Sequence, residues 1–138
     1  MVARISEPPK KAVALLLHRS ALITEWEQRV LDDAAIPHAH TIPLFRLRDY
    51  VPRLVDAITE ALREQERAAD VRVKARRFAL VHATDRLDCD FQLDEVMREL
   101  EHLADVLRPE LVDSPEGAAF VQGALDDAME VTRAVFAP

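Results

Sequence analysis

Apolar side chains recur at intervals of three and four residues along most of this chain, and no segment alternates regularly between apolar and polar positions. Intervals of three and four place side chains on one face of an α-helix, whereas strict alternation is typical of a strand. The pattern therefore predicts an all-α fold. Five helices account for it, each with an apolar face for packing against its neighbours.

The first predicted helix runs from about Lys10 to Leu31. Two prolines block a helix immediately before it, so Met1–Pro9 is expected to be a flexible tail. Trp26 is the only tryptophan, and its size makes it the expected core anchor of this helix. The apolar face of the helix comprises Val13, Leu16, Leu17, Ile23, Trp26 and Val30.

A proline-rich connection from Asp32 to Pro43 and a separate turn at Leu44–Arg48 follow the first helix. The second helix is expected to begin at Val51. Its apolar face is Leu54, Val55, Ile58 and Leu62.

The centre of the chain predicts two helices joined by a short polar corner. The third helix spans Asp70–Asp88, and the fourth spans Phe91–Arg108 until Pro109 stops it. Asp90 is the expected N-cap of the fourth helix, because a carboxylate there can accept hydrogen bonds from otherwise unpaired amides.

The fifth helix has clear start signals, with Ser114 as N-cap and Pro115 at the first helical position. It is apolar over more than one face. Val121, Ala128, Val131 and Val135 cannot all share a narrow stripe with Phe120, Ala124 and Phe136. We therefore predict a homodimer with Val121, Ala128, Val131 and Val135 in the interface, because a two-fold contact is the commonest way to cover a second apolar face. The alternative is that this helix is central in its own domain.

Composition narrows the functional classes. The 138 residues suffice for one domain, 1–138, and the net charge of −7 argues against nucleic acid or an anionic membrane as the main partner. A basic patch at Arg72, Lys74, Arg76 and Arg77 is interpreted as a solvated face, since no aromatic residues interleave for base stacking. A single cysteine and the lack of a signal peptide or a span-length apolar run indicate a cytoplasmic protein.

The sequence holds little candidate chemistry. His38 and His40 form a His-x-His pair, but they lie between prolines in a loop with no nearby carboxylate or thiol, so no metal is expected there. Haem would need an axial histidine facing an apolar pocket, and His82 and His102 are the candidates. We predict no catalytic residue, metal or cofactor and no enzymatic activity, with a haem- or small-ligand-binding protein as the alternative.

Several segments together resemble the N-terminal sensor domain of the RsbR type, which heads stressosome proteins and a group of bacterial sensor kinases and regulators. The first-helix segment Leu22–Val30 and the second-helix segment Val51–Leu62 are similar to the family pattern. The most specific part is His82–Arg86, followed by Phe91–Leu93 and Val96–Glu99. It matches the family order of His, Ala, two residues, Arg, a short corner, an aromatic residue, and Glu on the next helix.

The resemblance implies a globin-like helical bundle, usually without haem, that forms homodimers. It also implies a signal-input role upstream of a C-terminal output domain in the full-length protein. His82, Arg86 and Glu99 are the polar residues of the family signature, and we expect them to meet where the third and fourth helices join. The chain departs from the pattern at Asp90, where the family has Gly, and at Leu100 and Leu103-Ala104, which replace an aromatic residue and Leu-Arg.

Overall fold

A computed structural model describes residues 10–63 and 68–138 of this chain. The described residues form an all-α bundle of five long helices and one short one, without strands. The helices are α1 (Lys10–Asp32), α2 (Leu44–Leu47), α3 (Val51–Arg63), α4 (Ala68–Asp88), α5 (Leu93–Leu107) and α6 (Pro115–Phe136). Two 3-10 turns, Pro37–Thr41 and Arg108–Leu111, complete the described part. The predicted tail, Met1–Pro9, lies outside the described residues.

The α1 helix packs one face into the core, and Trp26 at its centre is fully buried. The other buried side chains described on this helix are Leu15, Leu22, Ile23 and Val30. The predicted apolar face was wrong at Leu17, whose side chain is 75% exposed. The helical period explains this, because Leu15, Leu22 and Trp26 are seven and four residues apart and Leu17 lies about 200° around the helix from Leu15.

Unlike an ordinary amphipathic helix, α4 buries small and polar side chains and exposes its larger aliphatic ones. Its buried side chains are Ala75, Ala79, His82, Ala83 and Arg86. Its larger aliphatic side chains, Val73, Leu80, Val81 and Leu87, are exposed. Since alanine projects little from the helix, this face allows close packing and leaves room for the two long polar side chains.

The corner between α4 and α5 is a Schellman motif, a helix end in which two amides turn back to satisfy free carbonyls. The Phe91 amide donates to the Arg86 carbonyl at 3.1 Å, and the Asp90 amide donates to the Leu87 carbonyl at 3.2 Å. Asp90 adopts a left-handed conformation with φ of 68°. Only glycine enters this region without steric cost. This corner residue is also the one at which the RsbR-type pattern has Gly.

The prediction that Asp90 caps α5 was wrong. Gln92 is the N-cap, and its amide donates to the carboxylate of Glu95 at 2.9 Å. Asp90 is used by the preceding helix end instead, because its backbone completes the turn that closes α4. The predicted cap of the last helix is confirmed, since the Ser114 hydroxyl accepts from the Gly117 amide at 3.1 Å.

We expect Asp90→Gly to stabilise the protein. A left-handed conformation costs an L-residue roughly 1–2 kcal/mol, and the greater freedom of glycine in the unfolded chain offsets about 0.4–1 kcal/mol of that gain. The net increase in the free energy of unfolding should be about 0.5–1 kcal/mol, measured by urea denaturation. Asp88→Gly is the matched control: it lies in helical backbone and should give no gain, because glycine has a low helix propensity. Equal effects of the two substitutions would contradict the proposed strain.

Candidate functional site

The three residues of the signature meet in the core between the last turns of α4 and the middle of α5. Arg86 and Glu99 form a bidentate pair, with Nε to Oε1 at 2.9 Å and Nη2 to Oε2 at 3.1 Å. Their side chains are 0% and 1% exposed. His82, one turn before Arg86, places its Nε2 atom 3.5 Å from Oε2 of Glu99. We call His82, Arg86 and Glu99 the buried polar cluster.

The guanidinium of Arg86 also reaches parts of the chain outside these two helices. Its Nη2 atom donates to the carbonyl of Leu47, at the end of α2, at 2.8 Å. Its Nη1 atom donates to the neighbouring Asp85 at 3.1 Å, and Asp85 in turn accepts from Arg46 at 2.7 Å. The Arg86 side chain therefore fixes α2 against the junction of α4 and α5.

The aromatic side chains of Phe91 and Trp26 contact the cluster. The Phe91 ring lies under the Arg86 guanidinium, whose central carbon is 5.1 Å from the ring centroid. Such cation–π contacts are strongest where the cation is desolvated. The Trp26 indole donates to the backbone carbonyl of Glu99 at 2.9 Å, which ties α1 to the cluster. The Schellman turn accounts for the first contact, because it folds Phe91 back onto the last turn of α4.

Glu99 is held ionised. Burial by itself would raise the pKa of its carboxyl, but the electrostatic attraction of the neighbouring His82 and Arg86 side chains and the hydrogen bonds from Arg86 outweigh burial, and the pKa lies below its usual range. Removing Arg86 or Glu99 alone would leave the other as an unpaired buried charge, which is strongly destabilising.

Within the described part of the chain, neither ring nitrogen of His82 has a hydrogen-bond partner. A cavity of about 10 Å³ lies beside the ring, bounded by residues that include Tyr50, Phe78, Leu100 and Thr132. A single water needs about 10–15 Å³ of such space. The cavity therefore matches one water molecule and is far too small for a porphyrin.

His102, the other candidate haem ligand, belongs to a separate polar group. Its Nε2 atom lies 2.7 Å from Oδ2 of Asp33, and the Nε atom of Arg98 donates to the same oxygen at 2.8 Å. The Arg98 hydrogen bond, assisted by His102 and the Ala35 amide, outweighs burial and holds the pKa of Asp33 well below its usual range. This group joins the end of α1 to α5.

The expectation that His38 has no nearby carboxylate was wrong. Its Nδ1 atom lies 2.7 Å from Glu95 Oε1, and its amide donates to Glu95 Oε2 at 3.1 Å. Glu95 is remote in sequence but reaches back from the first turn of α5. Glu95 was not predicted from the sequence as a partner of His38, although Gln92 and Glu95 have the three-residue spacing of a capping box. No group of three or more potential metal ligands occurs among the residues described.

The four residues predicted for a dimer interface do not share one surface. Val121 and Ala128 are 4% and 1% exposed and pack in the core of the chain, so they were wrongly assigned to a surface contact. The α6 helix is partly central, which is the alternative considered above. Val131 and Val135 are half-buried and line a surface groove between α4 and α6.

The basic patch of α4 is largely neutralised. Arg72 donates to Asp127 at 2.5 Å, Arg76 lies 3.3 Å from the same carboxylate, and Lys74 lies 4.0 Å from Glu60.

None of the described helices is long and apolar enough to cross a membrane.

Comparison of the chain with protein-family models, curated proteins and solved structures finds no match. The resemblance to the RsbR-type domain therefore depends on the residues and spacings quoted above.

We expect Glu99→Leu to lower the free energy of unfolding by about 3–5 kcal/mol, because it leaves the Arg86 guanidinium buried without a counter-charge. Combining it with Arg86→Met should bring stability back toward wild type, since no unpaired cation then remains. Asp105→Asn, which removes a surface partner of Arg108, is the control and should change stability by about 0–1 kcal/mol. Losses that simply add in the double variant would contradict a coupled buried pair. Urea denaturation provides the measurement.

Acid should destabilise the protein through Asp33. Its folded-state pKa is lowered, so its stabilising effect is present above the ordinary aspartate pKa of about 3.9 and is lost as the pH falls below it. Asp33→Asn should make the decrease in stability between about pH 5 and pH 2 shallower, and Arg98→Gln should reproduce part of that change. The measurement is the urea midpoint across this pH range. A decrease as steep in Asp33→Asn as in wild type would disprove the assignment.

Proposed function

We propose that this chain is a non-enzymatic signal-input and dimerisation domain of a bacterial stress regulator or two-component regulator. In this proposal it is an RsbR-type, globin-like domain without haem, which acts in the cytoplasm and passes its state to an output domain. The observation that carries the proposal is the buried polar cluster. His82, Arg86 and Glu99 are the residues that the resemblance selects, and in the core both His82 and Arg86 lie against Glu99.

The cluster is better suited to coupling helices than to chemistry on a substrate. The side chains of Arg86 and Glu99 are sealed from solvent, and both carboxylate oxygens of Glu99 are occupied by Arg86. Through Arg86, Trp26 and the Leu47 carbonyl, the cluster touches α1, α2, α4 and α5. Buried ionic groups have discrete hydrogen-bonding arrangements, so a shift in one helix would favour a different arrangement of the others.

A haem- or ligand-binding globin-like protein is the second candidate. The unpartnered ring of His82 beside the cavity supports only a ligand about as small as the one water molecule that the cavity matches. The volume of that cavity does not support haem.

The proposal predicts a dimeric protein that takes up no haem. Light scattering at micromolar concentration should give twice the 15.6 kDa chain mass, and protein expressed with haem available should show no Soret band. His82→Gln is a useful variant for the spectrum: a Soret band present in wild type and lost in this variant would establish the alternative function. A strictly monomeric mass would contradict the dimerisation part of the proposal.

A further inference from the structure

The outward face of α4 carries the apolar side chains that a helix normally turns inward. Val73, Leu80 and Leu87 are all exposed and follow one another at intervals of seven residues. Seven residues are almost two full turns, so the three side chains form a stripe that extends about 21 Å along the helix. The stripe is an exposed apolar surface that a partner could cover.

The α6 helix continues this apolar surface. Between the two helices lies a groove of about 500 Å³, lined by Arg76, Arg77, Leu80, Glu130, Val131, Ala134 and Val135. The helices run in the same direction, because Arg72 and Arg76 on α4 contact Asp127 and Glu130 on α6 in that order. The floor of the groove is aliphatic, and its rim is charged.

The rim carries one positive and one negative side chain that the described part of the chain does not pair closely. In the part of the chain that the structure describes, Arg77 has no hydrogen bond or ion pair. Across the groove, the side chain of Glu130 is 70% exposed, and its contact with Arg76 is a long 3.6 Å. Arg76 is already engaged by Asp127 at 3.3 Å. An available cation and an available anion therefore face outward on opposite sides of one apolar groove.

A surface with this arrangement is complementary to itself. In a two-fold dimer each protomer presents the same patch, so a residue on α4 of one copy meets a residue on α6 of the other, and the reverse. Arg77 of each protomer could then meet Glu130 of its partner, giving two ion pairs around a shared aliphatic centre. A foreign acidic or basic partner would satisfy only one of the two charges.

We infer that the α4–α6 groove is the homodimer interface, with Leu80, Val131 and Val135 at its centre and a reciprocal Arg77–Glu130 pair between protomers. This inference rests on the proposed dimerisation and adds its location and the pair that sets its register. It keeps Val131 and Val135 of the four α6 residues predicted from sequence, leaves out the buried Val121 and Ala128, and adds residues of α4.

A charge exchange tests the pair. Arg77→Glu places two glutamates opposite each other in the homodimer, and Glu130→Arg does the same with two arginines. Each variant alone should weaken dimerisation by about tenfold or more, because like charges across an interface repel. Mixing the two variants should restore a dimer that contains one copy of each, since both cross-protomer pairs are then attractive. Analytical ultracentrifugation with one mass-tagged variant measures the species formed.

Val135→Glu tests the apolar centre and should also give monomers with unchanged helicity by circular dichroism. Val112→Glu and Phe45→Glu, at exposed apolar positions away from the groove, are the matched controls and should leave the dimer intact. A wild-type dimer that persists in all groove variants would overturn this interface but leave the proposed dimerisation standing. A monomeric wild-type protein would overturn both. Dissociation by Phe45→Glu with none by Arg77→Glu would place the contact near α2, and the inference would then be wrong.

Discussion

The burial of the Arg86 guanidinium is the constraint on which the centre of this bundle depends. An arginine cannot lose its charge in a protein, so a fully buried one must find its counter-charge and hydrogen-bond acceptors within the fold. Here the acceptors come from the Glu99 carboxylate, the Leu47 carbonyl and Asp85. They belong to different segments, and all must be in place together. The cluster therefore specifies the arrangement of helices more than it adds net stability, because a well-packed apolar replacement can be equally stable.

The corner after α4 is part of the same constraint. The Schellman turn satisfies the Arg86 carbonyl with the Phe91 amide, and it brings the Phe91 ring under the guanidinium of the same arginine. One short turn thus provides both a backbone and a side-chain partner for Arg86. That geometry requires Asp90 to adopt a left-handed backbone conformation, which is strained for a residue other than glycine. This gives a physical reason for a pattern in which a glycine precedes an aromatic residue at such a corner.

Periodicity predicted the number, order and approximate bounds of the long helices, because most of them bury large apolar side chains at helical intervals. It was less informative for α4, whose buried face is alanine, His82 and Arg86 while Leu80 and Leu87 face outward. An apolar stripe reveals that a helix has two faces, but it does not reveal which face is inside. The same ambiguity placed Val121 and Ala128 on a surface, although α6 buries them against other helices. Pairs such as His38–Glu95 and Asp33–His102 could not be predicted from the sequence either. The two residues of each pair are 57 and 69 positions apart, and only the packed fold brings them together.

One helix, α4, carries both the buried polar residues of the core and the exposed apolar stripe on the surface. His82 and Arg86 occupy the inner side of this helix, and Leu80 and Leu87 occupy the outer side. Alanines on the inner side let α4 pack closely against its neighbours, and the polar contacts of Arg86 further fix its position. A helix is nearly rigid over 21 residues, and any rearrangement of those contacts must move its outer face as well. In the proposed dimer that outer face meets a second copy of the chain. A change at the cluster would then alter the packing between protomers, as the proposed signal-input role requires.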